Sequence, residues 1–483
     1  MRRSVDGRDG AGVARINVRA ESDLGAGHRL ISRRATVSLM LAGTVAMIAG
    51  GRGAAYGATD AAAGPVLATP EQIDAEKTLL RLLAEPRLRR IQDEIRTKWA
   101  ASPRGRTRDG AARLDGAIAQ WTNSLIFGEL AQHRASPAFL WGTDDTPRTW
   151  LGHTLGGVGT SGDNPDAVYR TANIDGDGRY EILGKWDPAA RPTQLVIEVD
   201  TGSLTRIPKI DYSKNADLVS TVAMLSDRDL VIDPDGSFRI SVGGPQDGPN
   251  HLKTAPGLLT VGVRDMMPDW DRQRPTRLTI RRTAGNEGPP VEYAELLQHL
   301  CEDLDGYVDF WAVFPDIWFG GLRGNKIAEP KGRNGGWGFV NGLSFDFNSP
   351  DDALLVTIDP AGAAYTGFQI IDPWMIAPDA KRHQVCLSSA QAASNADGTR
   401  TYVISMSDPG VTNWLDTAGL HQGLAIMRWQ AVPKGLSNQV LVRDFRVIKH
   451  ADLAKMPELA RATPAERRAT IARRARGYGS RTL

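Results

Sequence analysis

Cysteine is nearly absent: Cys301 and Cys386 are the whole supply in 483 residues. That rules out a disulfide-built scaffold, and no Cys/His cluster has zinc-ligand spacing. The preferred reading of both is as small buried hydrophobes, one on a helical face and one in a strand. A single disulfide in an oxidising compartment is the alternative. A nucleophilic pair of Cys386 with His383 is weaker, because adjacency in sequence is not geometry. Long apolar runs are also missing. The run Val37 to Gly50 falls short of the roughly 20 residues a spanning helix needs, so no stable membrane span is expected. Neither charge sign dominates, with 58 Lys plus Arg against 56 Asp plus Glu, and no nucleic-acid partner is expected. G-x-S-x-G and H-E-x-x-H do not occur, which removes the nucleophile elbow and the zincin helix. No cofactor and no metal site are expected.

The N-terminus is the strongest positive signal. Ser32-Arg33-Arg34 precedes VSLMLAGTVAMIAG, and the small residues GAAYGATDAAAG follow. An arginine pair ahead of a modest apolar stretch and A-x-A-like sites resembles a twin-arginine (Tat) export signal. Residues 1–63 are therefore read as a leader, the Tat translocase as a transient partner, and the mature chain as periplasmic or extracellular. The leader carries nine Arg against five acids, so its removal turns +2 into about −2. The tail from Ala451 is locally basic, and RRATIARRAR (467–476) is expected to be the solvated face of a terminal helix.

Between these ends the hydrophobic period changes once. Residues 64–150 carry helical spacing (Leu79, Leu80, Leu83), interrupted by Pro86. Residues 151–450 read as short strands separated by turns, apart from a helix at about Val291 to Phe314, and residues 451–483 as a basic C-terminal helix. Asp175-Gly176-Asp177-Gly178 reads as a hairpin turn, and Pro234-Asp235-Gly236 as a second. The expected fold is mainly β: an antiparallel, jelly-roll-like β-sandwich with a helical N-terminal segment.

Several motifs point to chemistry only weakly. GVGTSG (157–162) fits G-x-G-x-x-G but lacks the strand before and the helix after, so it reads as a flexible loop. NIDGDG opens like a calcium loop, yet Gly184 stands where the bidentate glutamate belongs. Asp269 with Asp271, and Asp303 with Asp305, pair in sequence, which does not set a carboxyl separation. FWAVFPDIWFGGLRGN (310–325) suits core packing, with a flap or pocket wall as the alternative.

NPDAVYRTANIDGDGRYEILG, then VRDMMPDW, then SNADGTRTYVISMSDPGVTNWLDTAG and GLAIMRW resemble the bacterial family called domain of unknown function 1214. A sister domain, number 1254, often accompanies it. The resemblance covers roughly 164–450 and rests most on DPGVTNWLDTAG (408–419). It implies a jelly-roll sandwich and supplies no agreed catalytic residues. Candidate catalytic residues are Tyr169, Arg264, Asp269, Asp416 and Arg428, and candidate ligand-binding residues are Asn164, Asp166, Asn413 and Trp414. Asp416 is expected to pair with Arg428, and Trp414 to plug the end of the sandwich or rim a ligand mouth. Clustering of His153, Tyr169, Arg264 and Asp269 or Asp416 in one pocket would mark an enzyme. The function expected is that of an exported protein acting on or binding a small organic molecule or glycan. A non-catalytic binding or assembly module and a glycosidase-like enzyme with paired carboxylates are the alternatives. The oligomeric state is left open.

Overall fold

The computed structural model describes residues 65–132, 136–203, 220–285, 291–332 and 338–482. All belong to the compact unit Leu41–Leu483. The export signal expected at Ser32 to Gly50 lies outside the described residues.

Prolines punctuate the helical start. Helix α1 (Pro70–Leu82) begins at a proline behind Thr69, whose hydroxyl accepts the Gln72 amide. Pro86 opens a second helix, α2 (Pro86–Ala100), and so acts as a first-turn residue. Helix α3 (Arg108–Ala131) is capped by Thr107, and α4 (Tyr293–Trp318) takes Pro315 only in its last turn. Their apolar faces merge through Leu79, Leu125, Trp121 and Trp311 into one core.

The β region begins before residue 151, at β1 (Leu140–Thr143). A first sheet runs β1, β4 (Ala167–Asp175), β10 (Leu258–Met266), β6 (Gln194–Thr201), β7 (Thr221–Ser226). A second runs β11 (Arg277–Ala284), β5 (Arg179–Lys185), β8 (Ser237–Val242), β9 (His251–Leu252). One apolar cluster joins them, with Ile174, Ile197 and Val261 on one side and Ile182, Ile240 and Leu278 on the other. After α4, a third sheet runs β12 (Lys326–Ile327), β14 (Gly338–Asp346), β20 (Gln422–Gln430), β16 (Tyr365–Ile371), β17 (Cys386–Ser388), with β13 (Lys331–Gly332) also on β14. A fourth runs β19 (Trp414–Asp416), β18 (Arg400–Ser405), β15 (Asp352–Ile358), β21 (Val442–Lys449). Phe345, Phe368, Met427 and Trp429 meet Leu354, Val356, Tyr402 and Ile404 between these two. The other face of the third sheet packs Ile371, Leu424 and Ile426 into the helical core. A small ribbon of β2 (Arg148–Trp150) and β3 (His153–Leu155) completes the strands.

The chain is thus mainly β, with antiparallel sheets and helices at both ends. The single sandwich expected over 151–450 is two stacked sheet pairs separated by α4, and the strand orders do not establish a jelly roll. Both expected hairpins are also corrected. β4 pairs with β1 and β10, whereas β5 pairs with β11 and β8, so the Asp175–Gly178 turn crosses between sheets. The Pro234–Gly236 turn likewise leads into the second sheet, and residues 230–232 form no strand. Alternation is the same for a strand that turns back beside its neighbour and for one that arches over the core, so the pattern cannot separate them.

The basic tail departs from expectation as well. Helix α5 (His450–Leu453) is short, and α6 (Pro464–Gly479) starts with a capping box of Thr463 and Glu466. Arg467, Arg474 and Arg481 recur every seven residues, fall on one side, and are each about 95% buried. Arg467 bonds Asp408 at 3.0 Å and lies over Trp414; Arg474 bonds Gln391 at 2.5 Å and lies 4.3 Å from the Trp270 ring. Arg481 donates to the carbonyls of Pro165 and Ala167. Only the other side, with Arg468, Arg473 and Arg476, is solvated.

Candidate acid–base site

The site is built where the loop after β1 meets the loop before β4. Asp144 exchanges backbone hydrogen bonds with Val158 at 2.8 and 2.7 Å, which straps the glycine-rich segment 157–162 against GTDDTP (142–147). That segment is neither a nucleotide cradle nor a free loop. A Cβ at Gly159 would lie 1.8 Å from Asp145 Oδ1, so glycine is required by the close approach.

Three carboxyls converge there. Asp144 Oδ1 accepts from the Tyr478 hydroxyl at 2.6 Å and from the Thr146 amide at 2.9 Å. Asp145 Oδ2 accepts from the Ala377 amide at 2.5 Å, and Asp163 Oδ2 from the Thr160 amide at 3.2 Å. No donor reaches Asp144 Oδ2 or Asp145 Oδ1. Asp145 and Asp163 are close enough to act on each other's ionisation, and a proton held by one of them relieves the repulsion of two buried carboxylates. Burial, then the neighbouring Asp163, pushes Asp145 well above the usual carboxyl range. Asp163 is half-buried and faces Arg428; burial raises it to about 6. Asp145 is therefore the acid and Asp163 the carboxylate.

Behind them lies a closed network. Asn164 Nδ2 donates to Tyr365 Oη at 2.7 Å, and Tyr365 donates to Asp166 Oδ2 at 2.8 Å. Trp270 Nε1 donates to Asp166 Oδ1 at 2.9 Å. Asp166 is fully buried, and burial holds its pKa above normal. In front, Tyr169 on β4 stands opposite Arg264 on β10. Arg264 pairs with Glu198, and Asp200 beside it is raised to about 6 by burial and then by Glu198. Arg428 on β20 donates to Gln369 Oε1 at 2.5 Å and to the Gly162 carbonyl at 2.8 Å.

Asp144, Asp145, Asp163, Asn164, Tyr169 and Tyr478 line a small recess with a cavity volume of about 10 Å³. That is room for about one water, so it suits a water or the tip of one functional group. Among the described residues, no three His, Cys, Asp or Glu side chains are arranged to hold a metal ion.

Of the sequence candidates, the fold gathers Tyr169, Arg264, Arg428, Asn164 and Asp166. Asp269 does not line the recess; its carboxylate Oδ1 accepts from the Asp271 and Arg272 amides. His153 is bonded to buried Glu76 at 2.6 Å, outside the recess. Asp144, Asp145, Asp163 and Tyr478 were missed; the only signal was Asp-Asp and Asp-Asn-Pro-Asp beside glycines.

The motif DPGVTNWLDTAG forms a separate corner. The expected Asp416–Arg428 pair is absent: Asp416 takes His383 at 2.8 Å and the Ala418 amide at 2.8 Å. Asp416 and Arg428 lie on strands of different sheets, which sequence proximity conceals. Asn413 bonds the Ala393 amide and the Ala393 and Thr401 carbonyls, while Trp414 donates to the Ser405 carbonyl and packs among Leu355, Val403 and Ile448. The geometry is that of a structural corner. Trp414→Ala should cost about 3–5 kcal/mol in a thermal melt. Asp416→Asn should destabilise at pH 6 and have less effect at pH 9. The hydrogen bond to Asp416 raises the His383 pKa, so its contribution is present below the unfolded value and lost as pH rises through the folded one. Equal effects at both pH values would remove His383 from the account.

Cys301 is free on α4, and Cys386 is free and buried, 3.2 Å from Arg474 Nη2. Burial raises the Cys386 thiol to about 12, which suits a core residue.

No family model matches the chain, and no curated protein matches it. Among solved structures, an uncharacterised protein from Burkholderia cenocepacia superposes with a TM-score of 0.58 at 20% identity, over 80% of this chain and 98% of that one. The VPA0106 protein from Vibrio parahaemolyticus gives a TM-score of 0.36 at 11% identity, over 69% of this chain and 98% of that one. The first is a likeness of fold.

Proposed function

We propose that this is an exported protein whose carboxyl recess carries out acid–base chemistry on a small organic molecule. The observation that carries the reading is the neighbouring pair Asp145 and Asp163 lining one small recess, one acid and one carboxylate. Two carboxyls that share a proton can act on a water: Asp163 removes a proton as the oxygen attacks, and Asp145 protonates the oxygen that leaves. The pair ends with one proton, as it began. A glycosidase needs carboxyls about 5–10 Å apart with the sugar between them. The recess that Asp145 and Asp163 share has no room for a sugar ring between them, which favours attack at a carbonyl or ester carbon over glycoside cleavage. The resemblance to domain of unknown function 1214 and its jelly roll belongs to the same proposal.

A panel of nitrophenyl esters and nitrophenyl glycosides tests it. Ester cleavage that vanishes in Asp145→Asn supports the reading. Saturable binding without turnover, unchanged in Asp145→Asn, would favour the non-catalytic binding module.

Export rests on Ser32-Arg33-Arg34 and the apolar run behind it. Replacing Arg33 and Arg34 together by Lys should retain the precursor in the cytoplasm, read by fractionation. Normal appearance of mature protein outside the cytoplasm would refute the Tat route.

A further inference from the structure

Each of the four large sheets ends in edge strands whose outer row of backbone groups has no neighbouring strand, and most of these edges are short. Strands β9, β12, β17 and β19 have two or three residues, and β1 has four. The long edges are β7, β11 and β21. β7 (TVAMLS) has no charged side chain to select a partner register, and β11 (RLTIRRTA) carries three arginines with no acid to meet them. β21 (VRDFRVIK) differs. Asp444 and Arg446 project on one face, where they bond each other at 2.7 Å, and Phe445 turns to the other, against the second sandwich core. Among the described residues, β15 is the only strand paired with it. The His450 amide donates to the Asp351 carbonyl at 3.0 Å, in the register that sets Asp352 opposite Lys449. Alternation from that bond aims the backbone groups of Asp444, Arg446 and Ile448 at β15, and those of Phe445 and Val447 outward. Phe445 is half-buried, and Val447 is 56% exposed. The flanking cations are met within the chain, Arg443 by Asp359 at 2.6 Å and Lys449 by Asp352.

We propose that β21 is a dimer edge, pairing antiparallel with β21 of a second copy of this chain about a two-fold axis at Phe445. Self-complementarity selects both the occupant and the register. With Phe445 opposite its own copy, Asp444 of each chain stands opposite Arg446 of the other, so two opposite-charge pairs form across the edge. An axis one residue earlier sets Asp444 against Asp444, and one residue later Arg446 against Arg446, and like charges directly opposite repel. The backbone agrees with the charges. Phe445 points its N–H and C=O outward, so the two copies exchange both bonds at that pair. The axis brings Phe445 and Val447 of both chains together on one face, which covers apolar surface that the single chain leaves open. A two-fold interface needs only this one patch on each copy.

Sedimentation equilibrium of the purified full chain at about 1 to 300 µM reads the association, a range suited to a small interface. The wild type should be a concentration-dependent dimer. Asp444→Lys, or Arg446→Glu, places like charges opposite each other twice and should raise the dimer Kd on the order of tenfold. The two substitutions together exchange the charges and should return the Kd to the wild-type value. That rescue separates pairing across the edge from damage within the strand, and thermal melts of all three variants verify the fold. A wild type that stays monomeric at the highest concentration would overturn the proposal and leave the edge to an extended segment of another protein. A dimer unaffected by either single reversal, or one that the double substitution fails to restore, would overturn it as well.

Discussion

Asp163→Asn should melt several degrees higher than the wild type at pH 8 and lose acid–base turnover. The two effects have one cause. Asp163 is raised from 3.8 to about 6, first by burial, so its ionised form is disfavoured in the folded state. A carboxyl with a raised folded pKa binds its proton more tightly folded than unfolded. Stability then falls as pH rises from the unfolded value toward about 6, and the full cost persists above that. A shift from 3.8 to about 6 corresponds to about 3 kcal/mol at most. Asp163 is partly open to solvent, which lowers the expected gain to roughly 1–3 kcal/mol. At pH 4 the aspartate is already protonated, and the two melting curves should nearly coincide. Asp145→Asn should share the loss of turnover, and the two substitutions should not add, because the carboxyls titrate as a pair. A variant that melts lower at pH 8 would show instead that the ionised pair holds the loops together, and would make the recess structural.

Deleting residues 464–483 should prevent recovery of folded protein. The segment carries a basic face, yet it fills the interior with Arg467, Arg474, Tyr478 and Arg481. Tyr478 meets Trp270 edge-on with ring centres 4.9 Å apart, and its hydroxyl is the donor to Asp144. Removal would therefore open both the second sandwich core and the recess. The positive charges also balance buried acids: Arg474 and Arg481 are the cations whose fields act on Asp166. Arg474→Ala alone should cost about 3–5 kcal/mol, the usual effect of leaving a buried opposite charge uncompensated. Urea titrations of the point variant and protease resistance of the truncated chain measure these effects. A deletion that resists protease like the full chain would return the tail to the solvated role its composition suggests.

Local physics wrote part of this protein into its sequence. The change of hydrophobic period separates helices from strands, because 3.6-residue and two-residue repeats follow from backbone geometry alone. Thr69, Thr107 and Thr463 mark helix starts, since a hydroxyl must meet amides that have no partner in the first turn. Tyr169, Arg264, Arg428, Asn164 and Asp166 were legible only through the motifs that resemble domain of unknown function 1214. What they face was not. Pairing β4 with β10 sets Tyr169 against Arg264, and docking the third sheet brings Arg428 from a strand more than 250 positions later. Asp144, Asp145 and Asp163 become an acid–base pair and its neighbour only because two loops are strapped together, and burial then raises the pKa values of Asp145 and Asp163. Asp416 shows the converse, as its proximity to Arg428 in sequence ends on different sheets. Alternation decides which face a strand buries, but the partner across the core is chosen by sheet stacking, where the free energy is a property of contacts between distant segments.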